Sequence, residues 1–162
     1  MYMEGTHTHL GFADESHHNK GRYRTLAVVS LDKMNYELVK RKILALLEQS
    51  GVKELKWGKI RDARYRFAAE KICRLVAELA YQNKLRIDTL IWDMEDSRHK
   101  IKGRDDLANL HRMYHHLFKN VLQRRWEDGA IWILYQDEHT GLSSDSIQYF
   151  LKMKQGELAP AD

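Results

Sequence analysis

The stretch AIWILYQDE (130–138) constrains the fold more than any other part of this chain. It is apolar at successive positions up to Tyr135, the pattern expected of a central strand covered by helices on both sides. The run then closes abruptly on Asp137 and Glu138. The same event occurs near the start, where the strand expected over 8–15 (THLGFADE) ends in Asp14 and Glu15. Period-two alternation sets Leu10, Phe12 and Asp14 on one face of the first strand. It likewise sets Ile131, Ile133, Tyr135 and Asp137 on one face of the other, and Glu15 and Glu138 on the opposite faces.

Between these strands the pattern alternates with helices. YRTLAVVSL (23–31) follows the first strand after a short polar turn, so an antiparallel hairpin is expected. Asp32 suits a helix start, Tyr36, Val39, Ile43, Leu46 and Leu47 share a helical face, and Gly51 stops the helix. The connector VKELKWGKI leads into a helix of about twenty residues with Ala68, Ile72, Leu75, Val76 and Leu79 as its buried stripe. KLRIDTLIWDM (84–94) reads as a strand, and the charged stretch EDSRHKIKGRDD after it as an exposed connection. A helix over 107–126 with Leu110, Tyr114, Leu117, Phe118 and Val121 inward precedes the last strand. SDSIQYFLKMKQ, capped by Ser143 or Ser144, reads as a final helix. The order β-β-α-α-β-α-β-α predicts an α/β fold, a mixed sheet around one antiparallel hairpin with helices on both faces.

With 162 residues, 43% hydrophobic, the chain is long enough for one domain with a substantial core. It contains no apolar run of bilayer length and no recognisable secretory leader, so no membrane association is expected. The lone Cys73 suits a reducing compartment, and the sequence reads as cytoplasmic. A net charge of +4 leans toward polyanionic partners, and its distribution is uneven. Lys53, Lys56, Lys59, Arg61, Arg64 and Arg66 crowd one segment; Arg98, Lys100, Lys102 and Arg104 crowd another. Each cluster is either a solvated face or a nucleic-acid contact.

Strand ends that deliver side chains into a crevice are where α/β sheets build sites. If the two Asp-Glu strands are neighbours, Asp14 and Asp137 sit side by side, and two close carboxylates need a neutralising partner. Mg²⁺ or Mn²⁺ meets that need with oxygen ligands and water, often beside phosphates. A third carboxylate would allow two ions to clamp an in-line displacement at a phosphodiester. Glu54 in KELKW is the candidate, because it lies among basic residues at the seam between two helices. Lys56, two residues on, could face a phosphate or a developing charge. The plain alternatives are loop-start acids for the Asp-Glu pairs and an exposed ion pair for Glu54 and Lys56.

GFADES at the first strand, ELKW between two helices and YQDEH at the late strand together resemble the domain-of-unknown-function 3800 family. The resemblance spans about residues 8 to 140. It implies an RNase H-like fold and a metal-dependent nuclease hydrolysing phosphodiester bonds of DNA or RNA. The acidic constellation it implies is Asp14, Glu54 and Asp137, with Lys56 accompanying. Two departures stand out: His17 replaces the glycine of the family's Asp-Glu-Ser-Gly, and the family's later acid on a C-terminal helix has no match before Asp162. Asp145 begins the last expected helix too soon after the strand to match it. The expectation is therefore a single RNase H-like domain over 1–162 without the family's C-terminal portion. The rival expectation is a catalytically inactive nucleic-acid-binding or assembly module of the same fold.

Other residues offer alternatives. His111 and His115, four apart on a helix, have the spacing of a zinc pair but lack the glutamate of the His-Glu metalloprotease pattern. His17, His18 and His139 adjoin the acidic strand ends and could shuttle protons. Asp93 shares parity with Ile87, Thr89 and Ile91 and is a reserve ligand; Asp88 lies on the same strand. Trp57 either stacks on a base or, beside a helix start, anchors the core.

Overall fold

The computed structural model describes residues 7–16, 21–99, 101–103 and 105–136. Four strands, β1 (His9–Ser16), β2 (Tyr23–Asp32), β3 (Arg86–Asp93) and β4 (Trp132–Gln136), form one mixed sheet in the order β3-β2-β1-β4. The expected hairpin is present, with β1 and β2 antiparallel and Leu10 opposite Leu31. β3 is antiparallel to β2, and β4 lies parallel to β1 with Phe12 abreast of Tyr135. This is the α/β architecture that the alternating pattern anticipates.

Two helices cover one face. Asp32 accepts a hydrogen bond from the Met34 amide (2.7 Å) and opens a short 3-10 turn, from which α1 (Tyr36–Gln49) continues. Gly51 ends α1 with φ +63°, its amide donating to the Glu48 carbonyl and the Val52 amide to that of Leu47. These two bonds satisfy the carbonyls that a helix end otherwise leaves bare, and only glycine takes that φ without a Cβ penalty. Asp62 caps α2 (Ala63–Tyr81) through the Arg64 amide at 2.8 Å. Val39, Leu79 and Leu85 pack with Leu10 and Leu31, and Phe12, Tyr36, Ile43 and Ile133 close around them.

The opposite face is covered by one helical rod. It begins as α3 (Asp106–His116), capped by Asp105, widens into a π-helical segment over Leu117–Leu122, and ends in a last turn, Gln123–Arg125. Leu110, Met113, Tyr114, Leu117, Phe118 and Leu122 bury against Ala13, Leu26, Val28 and Trp92. The expected helix is therefore present but not uniformly α. The wider π turns change which residues face inward, which is how Leu122 joins the core although strict α spacing does not select it. Trp126, just past the rod, donates its indole N–H to Ser30 Oγ at 2.9 Å. That bond satisfies a hydroxyl buried in the middle of β2.

One expectation needs correction. β4 is not a central strand: among the described residues it pairs with β1 alone and stands at the sheet edge, with Tyr135 half exposed. Its apolar positions reflect packing of Trp132 and Leu134 against the core under α3 and of Ile133 against the core under α1 and α2. The helices also cover the two faces unequally. α1 and α2 reach the half of their face that holds Leu10 and Leu31, whereas Tyr23 (55%) and Ile91 (65%) stay in solvent. The final helix expected over SDSIQYFLKMKQ lies outside the described residues.

Leu26 is fully buried between the sheet and α3, whereas Ile91 lies on the uncovered half. Leu26→Ala should lower unfolding free energy by about 2–5 kcal/mol in urea titrations, and Ile91→Ala by less than about 0.5 kcal/mol. At the far end of the sheet, Arg22 grips Asp93 with Nε and a terminal nitrogen at 3.0 and 2.8 Å, joining the start of β2 to the end of β3. Hydrogen bonding and charge from Arg22, with the Glu95 amide, hold the Asp93 carboxyl below the usual carboxylate range. Its contribution to stability is present above the unfolded carboxyl pKa near 4 and fades as pH falls through the lower folded value. The urea midpoint of Asp93→Asn should therefore trail the wild type at pH 6, with the gap closing as pH falls below about 4.

Candidate functional site

Asp14 stands at the carboxyl end of β1, two residues past Phe12 on the face that α1 and α2 partly cover. Phe12 stacks on Tyr135 of β4, with ring centroids 4.9 Å apart and planes 7° from parallel. It also lies 6.1 Å from the Tyr36 ring at the start of α1. These contacts hold β1 against β4 two residues before Asp14. The last described pair in the ladder is Ala13 with Gln136. Asp137, Glu138 and His139 lie outside the described residues, as do His17, His18 and Asp145.

The sheet separates the two acids of the first motif. Glu15 points to the opposite face, where it accepts a hydrogen bond from the hydroxyl of the fully buried Tyr114. That role is structural, as alternation anticipates for the second acid of the pair. Asp14 is exposed. Beyond it, Ser16 and Thr25 join their hydroxyls across the hairpin.

The other aspartates show why Asp14 stands out. Asp32, Asp62 and Asp105 cap helical turns. Asp88 pairs with Arg125, Asp93 with Arg22, Asp96 with Arg98 and Asp106 with Arg24, at 2.5–3.0 Å. Among the described aspartates, Asp14 and Asp128 alone neither cap a helix nor pair with a cation. Asp128 lies in the turn before β4, whereas Asp14 projects from a central strand. A carboxylate held on rigid backbone with its oxygens free is what a hard cation requires of a ligand.

Glu54 and Lys56 come together, with Lys56 Nζ 3.1 Å from Glu54 Oε2. Both side chains are more than half exposed, so the pair contributes little to stability. No hydrogen bond or ion pair joins Glu54 to Asp14. Among the described residues no three His, Cys, Asp or Glu side chains gather closely enough to hold a metal ion. In kind, the donors fit Mg²⁺ or Mn²⁺; in number, the described ones do not complete a site.

Asp93 does not serve as a reserve ligand. Thr89 and Ala27 lie in register with Asp14, and Asp93 is four residues past Thr89 on β3. That displacement is about 13 Å along the strand and two strands across, and the carboxylate is already held by Arg22. Asp88 faces α3 and is committed to Arg125. His111 is half-buried on α3, with Nε2 enclosed and lacking a hydrogen-bond partner.

The basic segments fare differently. Arg98 is bound to Asp96, its charge largely matched, and Lys100 and Arg104 lie outside the described residues. The cations of segment 53–66 are all exposed, with Lys56 paired to Glu54 and Arg64 to Asp62. Trp57 does not anchor the core: it occupies a 3-10 turn, Trp57–Lys59, and is 76% exposed. Alternation and helical period do not report on a turn between elements, so its sequence position beside a helix start could not decide this.

Among the described residues, no helix is long and apolar enough to cross a membrane. No protein-family model matches the chain, and no solved structure does. The chain is similar to two proteins of Methanothermobacter thermautotrophicus: uncharacterized protein ORF2′, 41% identical over 157 residues, and uncharacterized protein ORF2, 38% identical over 158 residues. The matches cover 92% and 93% of this chain but 55% of each relative, so the chain spans about half the length of the curated relatives it matches.

Proposed function

We propose that the protein is a metal-dependent nuclease, with Asp14, Glu54 and Asp137 as ligands for Mg²⁺ or Mn²⁺ and Lys56 facing the scissile phosphate. The observation that supports it is the parallel register of β1 and β4. Ala13 is paired with Gln136, so one further step of the same ladder would bring Asp14 abreast of Asp137, about 5 Å away and on the same face. Two carboxylates at that spacing repel unless a cation or a proton intervenes.

When bound, a divalent cation supplies Lewis-acid polarisation of the phosphodiester. The chain's own residues do the rest. β1, hydrogen-bonded on both sides, holds Asp14 still, so the ligand needs no reorganisation. Glu54 lies on a connector, where it pairs with Lys56. As a ligand it would leave that ion pair, and the Lys56 ammonium would then be available to a phosphate oxygen. The half-face left open by α1 and α2 adjoins Asp14, which leaves room for a polymeric substrate to approach.

The three acidic motifs in order support reading the chain as RNase H-like and related to the domain-of-unknown-function 3800 family. The exposed free thiol of Cys73 suits a cytoplasmic setting. The second reading is an inactive module of the same fold that binds nucleic acid, which the exposed cations of 53–66 suit equally.

Cleavage of end-labelled DNA and RNA oligonucleotides in Mn²⁺ distinguishes them. Asp14→Asn and Asp137→Asn should each lower the single-turnover rate by about 100-fold or more while leaving the thermal midpoint within a few degrees. Activity equal to wild type in both variants would rule the assignment out. Binding without turnover in the wild type would favour the inactive module.

A further inference from the structure

The segment from Lys53 to Arg74 has eight basic and three acidic residues, a surplus of five that exceeds the +4 of the whole chain. All eight cations are exposed. On α2 the positions Arg64, Phe67, Lys71 and Arg74 recur at helical spacing along an exposed flank beside the buried stripe. Phe67 is half exposed within this stripe, with the Lys71 ammonium 5.3 Å above its ring. At the head of the helix, Lys59 lies over the Tyr65 ring at 5.4 Å, tying the Trp57 turn to the first turn of α2.

Trp57 completes the surface. Of the four tryptophans, Trp92 is buried, and Trp126 and Trp132 pack around His9. Trp57 projects between Lys56 and Lys59, and no ring contact or hydrogen bond engages its indole among the described residues. Exposing so large an apolar ring has a cost in water that neighbouring side chains do not relieve. A bare indole face flanked by cations matches one ligand chemistry well: unstacked bases joined by phosphates. A base pair in a duplex buries its faces against its neighbours and offers none to an indole.

We infer that the Trp57 turn and the outer stripe of α2 form a platform for single-stranded nucleic acid, with Trp57 stacking on a base and the lysines and arginines following the backbone. The platform gives the nuclease reading a substrate class and rests on that reading for its place beside Glu54 and Lys56. Its binding step can be measured without cleavage.

The test is titration of the full chain, in EDTA, with a 15-nucleotide oligothymidylate, the corresponding oligouridylate and a 15-base-pair duplex. Tryptophan fluorescence and anisotropy are both read. Single strands should quench the wild type, and Trp57→Ala should weaken their binding about tenfold while changing duplex affinity less than twofold. Trp57→Phe, which keeps a stacking face, should recover most of the loss. Lys59→Ala should weaken all three ligands and reduce the salt slope for single strands by about 0.7. The ratio of thymidylate to uridylate affinity distinguishes DNA from RNA.

Equal single-strand affinity in Trp57→Ala and wild type, no binding at all, or equal binding of polyglutamate would overturn the platform. Asp14→Asn separates the two claims. If it binds like wild type and the wild type cleaves nothing in Mn²⁺, the nuclease reading fails and the platform stands. If cleavage of single strands is insensitive to Trp57→Ala in both affinity and rate, the platform fails and the nuclease reading stands.

Discussion

Hydrogen bonding of β1 on both edges is the constraint from which the other features of this structure follow. The antiparallel ladder to β2 comes from a short connection and needs little closure entropy. The parallel ladder to β4 joins segments more than a hundred residues apart and depends on packing: Phe12 against Tyr135 on one face, and Ala13 with Leu134 against α3 on the other. Gly11 is part of this fit. A Cβ there would come within 2.7 Å of the Leu134 side chain, so the glycine lets the neighbouring strand's leucine fold across the sheet. Once β1 is fixed, the position and face of Asp14 are fixed with it.

The two faces of the sheet divide the polar residues by role. On the α3 side, polar groups are joined in local contacts: Tyr114 to Glu15, Trp126 to Ser30, Arg24 to Asp106, Arg125 to Asp88. Pairing of this kind satisfies much of the polar surface under the rod, while Arg24 Nε, Asp88 Oδ2 and His111 Nε2 are enclosed without a hydrogen bond. On the other side, α1 and α2 stop short, and the acid at the end of β1 meets solvent. Most of the described aspartates cap helices or pair with cations, and Asp14 is left free on a rigid strand.

Much of this was legible in the sequence because the relevant signals are periodic. The alternation of Leu10, Phe12 and Asp14, the helical stripe from Tyr36 to Leu47, and the Gly51 stop each follow from local geometry. Three features were not. The edge position of β4 depends on which strands pair, which an apolar run cannot specify. The π-helical segment over Leu117–Leu122 is made of residues that carry no distinct propensity for it. The exposure of Trp57 is set by where a connector crosses the surface. At the site, strand alternation correctly separated Asp14 from Glu15, but Asp93 misled because parity gives the face of a strand and not the distance along it.

Anomalous diffraction from crystals of the full chain soaked in Mn²⁺ bears most directly on the paired-acid arrangement. A peak about 2 Å from an Asp14 carboxylate oxygen and a similar distance from Asp137, absent in Asp14→Asn, is the expected result. Asp14 and Asp137 side chains on opposite faces or different edges of the sheet, with no peak between them, would contradict it.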